Sequence, residues 1–114
     1  MKRFGFVLNA QRRAGLPLVR AVKEKDLLVV DVRSPEEVAA TGKVDRAVNI
    51  PLNALEANKA FFGDDKTRPL LFYCAKGVRS AQAAGYAQSL GFNNAFSTVD
   101  AQSAQKLIDQ TNSD

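Results

Sequence analysis

The chain has 114 residues, 46% of them apolar, and a formal charge of +4. That length suits one globular domain, which buries roughly two thirds of its unfolded surface and folds without a metal or disulfide staple. There is no histidine and only one cysteine, which excludes an intrachain disulfide, a CxxC redox pair, an ordinary Cys/His zinc site and catalysis built on imidazole.

The basic excess is modest; it favours small anionic ligands and gives no ground for a nucleic-acid partner. The apolar runs are far too short for a helix that crosses a bilayer, so no membrane partner is expected. Six cations, Lys2, Arg3, Arg12, Arg13, Arg20 and Lys23, precede the first acid, Glu24, a composition shared with organelle transit peptides. Phe4–Leu8 and Pro17–Val22 nevertheless read as elements the domain needs. A lone thiol suits a reducing compartment, so a cytoplasmic location is expected, with an organelle as the alternative. There is no internal repeat, low-complexity tract or linker, and residues 1–114 are read as one domain.

Taken in order, Phe4–Leu8 is a short strand, and Pro17 opens a helix that runs to about Lys25. Leu27–Val32 is apolar, β-branched and ended by charge, as a buried parallel strand reads. Ser34-Pro35-Glu36-Glu37 then combines an N-cap, a proline at the first helical position and a capping-box glutamate. That helix is predicted to reach about Ala40, with Gly42 turning the chain. Ala47–Ile50 is a strand stopped by Pro51, Leu52–Lys59 is predicted to be a helix, and Phe61 and Phe62 are predicted to plug apolar space beneath it. Pro69–Tyr73 is a second buried strand. An alanine-rich helix over Ser80–Leu90 ends at Gly91, Ala95–Ser97 is the last strand, and Asp100 caps a helix to about Gln110. Tyr86 and Phe92 are assigned to the core. Alternating strands and helices give an α/β fold, a mostly parallel sheet with helices on both faces. Ligands of such sheets bind at the carboxyl ends of the strands, which is where Cys74 falls.

A cysteine after Leu-Phe-Tyr would by itself read as a buried, inert side chain. The residues that follow change that reading. Gly77 can take positive φ, so the loop Ala75, Lys76, Gly77, Val78, Arg79 can curl its amides inward as an anion-binding nest. A helix beginning near Val78 adds its positive end, and Lys76 and Arg79 add full charges. Each favours thiolate over thiol, as in sites where cysteine pKa values fall to roughly 3.5–7.5. Phosphoester hydrolysis wants a longer loop between cysteine and arginine, and an acid for the leaving alkoxide. Transfer of sulfane sulfur needs neither, because a stable anion such as sulfite leaves unprotonated and a persulfide remains on the thiol. No cofactor and no metal are required.

These segments resemble single-domain rhodaneses, the thiosulfate-type sulfurtransferases. Asp31-Val32-Arg33-Ser34-Pro35-Glu36-Glu37, Asn49-Ile50-Pro51-Leu52, Tyr73-Cys74-Ala75-Lys76-Gly77-Val78-Arg79-Ser80 and Leu90-Gly91-Phe92 match the family's motifs in order. The resemblance implies a five-stranded parallel sheet, Cys74 as the persulfide-bearing residue and loop amides of 75–79 that bind the donor anion. It implies mainly supporting roles for Asp31, Arg33 and Ser80, with Arg33 pairing near Glu37. The implied partners are a small anionic sulfur donor such as thiosulfate, and an acceptor that is cyanide or a thiol, including a protein thiol. A persulfide relay or docking module is the alternative. Two segments depart from the family pattern: Gly42-Lys43-Val44-Asp45-Arg46-Ala47 lacks its histidine and second glycine, and Ser97-Thr98-Val99-Asp100 stands where it has Gly-Gly and Trp. The first is expected to change a loop away from the sulfur. The second belongs to a region that often borders the mouth of the site.

Overall fold

The structure is a computed structural model and describes residues 27–112. Its sheet has four described strands, β1 (Leu28–Asp31), β2 (Val48–Asn49), β3 (Leu70–Tyr73) and β4 (Ala95–Ser97). All pair in parallel, in the order β2-β1-β3-β4. The fifth strand expected at Phe4–Leu8, and the helix expected after Pro17, lie outside the described residues.

Strand periodicity explains how the sheet is covered. Successive side chains point to opposite faces, so Val30, Leu70 and Phe72 enter one core and Val29, Leu71 and Tyr73 the other. The first face is covered by helix α2 (Val78–Ser89), which turns Ala83, Ala84 and Ala87 inward. Alanine there lets the helix backbone lie close to the strands. The second face is covered by helix α3 (Ala101–Asn112) through Ala104 and Ile108, together with Val44 and Ala47. Asp100 caps α3, its carboxylate accepting from Ser103 N at 2.8 Å. Phe92 is buried, and Tyr86 packs half-buried against the first core.

Helix α1 (Pro35–Thr41) forms as its capping signal predicts. Ser34 Oγ accepts from Glu37 N at 3.2 Å, and Glu37 Oε1 accepts from Ser34 N at 3.0 Å. Gly42 ends it at φ 79°. None of its residues is fully buried, so α1 is tied down by polar contacts from the end of β1.

The expected helix over 52–59 is replaced by two short 3-10 turns, Leu52–Ala54 and Lys59–Phe62. Asn58 Nδ2 donates to Ala54 O at 2.9 Å. Ala54 O accepts the Asn58 backbone N–H as well, at 3.1 Å, and the turns on either side close on tighter bonds three residues back, Ala54 N to Pro51 O at 2.8 Å and Phe61 N to Asn58 O at 3.0 Å. Only one of the two phenylalanines acts as a plug. Phe62 is fully buried and meets Phe72 and Phe92 edge-on, at centroid distances of 5.9 and 5.6 Å, whereas Phe61 is 53% exposed.

Candidate active site

Strand β3 runs straight into Cys74 at the carboxyl edge of the sheet, beside the ends of its neighbours β1 and β4. Cys74 lies on the α2 side of the sheet, 1% exposed. The loop then reverses at Gly77, whose φ of 99° is a left-handed conformation that side chains rarely tolerate. A methyl group there would find only ordinary contacts with Val99; backbone conformation, not crowding, is what calls for glycine.

The reversal aims donors at sulfur. Gly77 N lies 3.0 Å from Cys74 Sγ and Ser80 N 3.4 Å. Ser80 Oγ is 3.5 Å from Sγ and also bonds Gly77 O at 3.1 Å and Thr98 O at 2.9 Å. A hydroxyl has one proton. With a neutral thiol, Ser80 accepts from S–H while donating to a carbonyl; with a thiolate, it can turn its proton to sulfur. Burial alone pushes the Cys74 thiol pKa up. The hydrogen bonds of Ser80, through hydroxyl and N–H, and of the Lys76 and Gly77 amides outweigh it, so the net direction is down.

This arrangement predicts the effect of removing the hydroxyl. Ser80→Ala should move the midpoint of Cys74 alkylation by iodoacetamide to higher pH. Rates should fall several-fold near neutrality, where less thiolate remains, and converge with wild type at high pH. A hydrogen bond to a charged group is commonly worth about 1.5–3 kcal/mol, ample for such a change. An unmoved midpoint would show that Ser80 only braces the loop.

The expected site residues divide into two groups. Cys74, Gly77, Ser80 and the Lys76 amide converge on sulfur. Ala75 and Val78 stand on the exposed rim, Val78 at 67% exposure. Among the described residues, the backbone N–H groups of Ala75, Val78 and Arg79 have no protein acceptor, as befits a loop and the first turn of a helix. These amides are open to an acceptor other than the described residues.

The ion pairing differs from the expected Arg33–Glu37 contact. Arg33 instead turns back on Asp31, with Nε 3.0 Å from Oδ1 and Nη2 2.6 Å from Oδ2. Its remaining donors reach Thr41 Oγ1 at 2.8 Å and Gly42 O at 2.7 Å, fastening the end of α1. Glu37 pairs with Arg79 across 42 residues, its oxygens 2.7 and 2.9 Å from Nη1 and Nη2. The reason is geometric: Asp31 is two residues from Arg33 and fully buried, so it claims the guanidinium first.

The model of the rhodanese-like domain matches residues 17–101. The chain belongs to the rhodanese-like family. Mouse thiosulfate sulfurtransferase/rhodanese-like domain-containing protein 3 is 38% identical over 85 residues, which cover 65% of this chain and 54% of that protein; this rhodanese-like chain thus spans about half the length of that relative. Human thiosulfate:glutathione sulfurtransferase is 36% identical over 100 residues, 72% of this chain and 86% of that protein. Among solved structures, a human single-domain sulfurtransferase aligns with TM-score 0.58 at 31% identity, over 81% of this chain and 90% of that one. All three of these similar proteins carry sulfurtransferase names.

The two segments that depart from the family pattern lie where they were expected. In the 42–47 segment, Val44 N donates to Tyr73 Oη at 2.9 Å and Arg46 Nη2 to Leu27 O at 2.9 Å, on the far face of the sheet from Cys74. The 97–100 segment walls the site: Thr98 O receives the Ser80 hydroxyl, and Val99 O lies 3.8 Å from Sγ. Thr98 and Val99 act here through backbone carbonyls, which carry no residue-type signal.

Proposed function

We propose that the protein is a thiosulfate-type sulfurtransferase in which Cys74 carries sulfur as a persulfide. The observation that carries this reading is the convergence of the Gly77 and Ser80 amides and the Ser80 hydroxyl on Sγ, beside loop amides with no protein acceptor among the described residues. Two similar proteins bear thiosulfate sulfurtransferase names, one with glutathione as the second substrate, and the loop pattern Cys74-Ala75-Lys76-Gly77-Val78 favours thiosulfate over mercaptopyruvate.

In the first half-reaction the thiolate attacks the outer sulfur of thiosulfate. A new S–S bond forms on Cys74, the S–S bond of the donor breaks, and sulfite leaves with the electron pair. In the second, an acceptor thiolate or cyanide attacks the outer persulfide sulfur, takes it, and returns Cys74 as thiolate. No proton need cross in either step, which suits a site with no titrating imidazole. Ser80 can direct its hydroxyl proton to whichever sulfur bears the negative charge, and the unengaged amides of Ala75, Val78 and Arg79 hold the oxygens of the donor.

Intact mass spectrometry tests this directly. Thiosulfate should add the mass of one sulfur atom to the protein, and cyanide should remove it. Absence of the adduct, with Cys74 still open to iodoacetamide, would overturn the assignment of thiosulfate as donor.

A further inference from the structure

Arg79 is the second residue of α2 and sits directly before Ser80, whose N–H and hydroxyl meet the sulfur of Cys74. At that place it should be the strongest attractor of anions at the mouth of the site. Its guanidinium is instead met edge to edge by the Glu37 carboxylate, at 2.7 and 2.9 Å. Glu37 is itself fixed from the other side, where Oε1 also accepts from Ser34 N at 3.0 Å in the capping box of α1. The pair is about one-third exposed, 35% and 37%, and opens to solvent rather than being sealed. Lys76, also exposed, makes no ion pair among the described residues.

We propose that Glu37 is a specificity-determining residue: by cancelling the charge of Arg79 beside the Cys74 loop, it limits the entry of small anions and leaves their recognition to the loop amides and Lys76. The bond to Arg79 and those to Ser34 hold the Glu37 carboxyl down at about 2, so the brake is charged throughout any working pH range. For the sulfur-transfer reaction, on whose assignment this consequence rests, Glu37 trades affinity for the dianionic donor against indiscriminate capture of small anions.

The capping box makes the test clean, because glutamine serves at the third helical position as glutamate does. Glu37→Gln therefore removes a charge while keeping the start of α1. Cys74 is alkylated with anionic iodoacetate and, separately, with neutral iodoacetamide, and the ratio of the two rates is read at low ionic strength. That ratio cancels changes in thiolate fraction and needs no sulfur transfer.

The local charge of the pair is zero in wild type, +1 in Glu37→Gln, −1 in Arg79→Ala and zero in the double variant. The iodoacetate preference should rise about two- to fivefold in Glu37→Gln, fall by a similar factor in Arg79→Ala, and return close to wild type in the double variant. Added salt should compress both differences. In the same order, KM for thiosulfate should fall in Glu37→Gln and rise in Arg79→Ala. A ratio that is the same in Glu37→Gln and wild type would overturn the proposal. A shifted ratio in a protein that thiosulfate does not load would uphold the charge brake and overturn the sulfur-donor assignment instead.

Discussion

Cys74→Ser should lose sulfur loading completely while keeping its fold. A serine hydroxyl stays protonated where a thiol in the same setting ionises, and an alkoxide is a poor match for soft sulfane sulfur. The site offers no histidine to relieve the hydroxyl of its proton. Structurally the change is small. Serine can accept from the Gly77 and Ser80 amides that now face Sγ at 3.0 and 3.4 Å, so no buried donor is stranded. Destabilisation should be within about 1–2 kcal/mol, the ordinary scale for a buried substitution that leaves no cavity and no unpaired charge. The measurement pairs intact mass after thiosulfate with a thermal melt. A folded variant that still gains sulfur would place the acceptor atom elsewhere and remove Cys74 from the mechanism. A variant that unfolds would move the test to wild-type protein blocked at Cys74 with iodoacetamide, read by the same pair of measurements.

Local signals carried most of the architecture. The capping box at Ser34 and Glu37, the positive φ at Gly77 and the Asp100 cap each involve residues within three or four positions of one another, and each is legible in the chain because turn and cap chemistry is local. The buried strands at 27–32 and 69–73 announce themselves as apolar runs. Contacts that close through space were harder to read. Glu37 has two jobs, one local and one 42 residues away, and only the local one leaves a pattern. Arg33 had three acids within four residues, Asp31, Glu36 and Glu37. Burial at the end of β1 decided for Asp31, and burial is a property of the fold. Of the three sources read beside Cys74, loop amides, helix end and cations, the contacts that favour thiolate are bonds from the amides, joined by Ser80. Main-chain groups have no residue identity, so the sequence located the tight turn after Cys74 by its glycine and left the individual donors to the structure. The failed helix over 52–59 has the same origin, since its turns close on main-chain bonds that mostly reach back three residues instead of four.

Asp31→Ala should cost the fold far more than the chemistry. Asp31 is fully buried, and its carboxylate takes four bonds from Arg33, including the backbone N–H at 2.9 Å. Arg33 is itself 7% exposed, with Tyr73 below it at 5.8 Å from the ring centroid. Removing the acid therefore leaves a buried guanidinium whose remaining partners, Thr41 Oγ1 and Gly42 O, are neutral. Breaking a buried pair from one side commonly costs about 3–5 kcal/mol, because the surviving charge is uncompensated. For a domain whose whole stability is about 5–15 kcal/mol, that is a large share. The melting temperature should fall by some 12–40 °C, taking roughly 4–8 °C per kcal/mol for a domain this small. The same change loosens α1, which has no fully buried residue and relies on Arg33 at its C-terminal end. Sulfur loading measured well below the lowered melting point should remain close to wild type, since no bond of the Asp31 side chain reaches Cys74 or its loop. Arg33→Met in the Asp31→Ala background should recover stability, because an apolar side chain of similar length removes the stranded charge. A stable Asp31→Ala protein that fails to load sulfur would reverse this assignment and move Asp31 from the frame of the sheet into the active site.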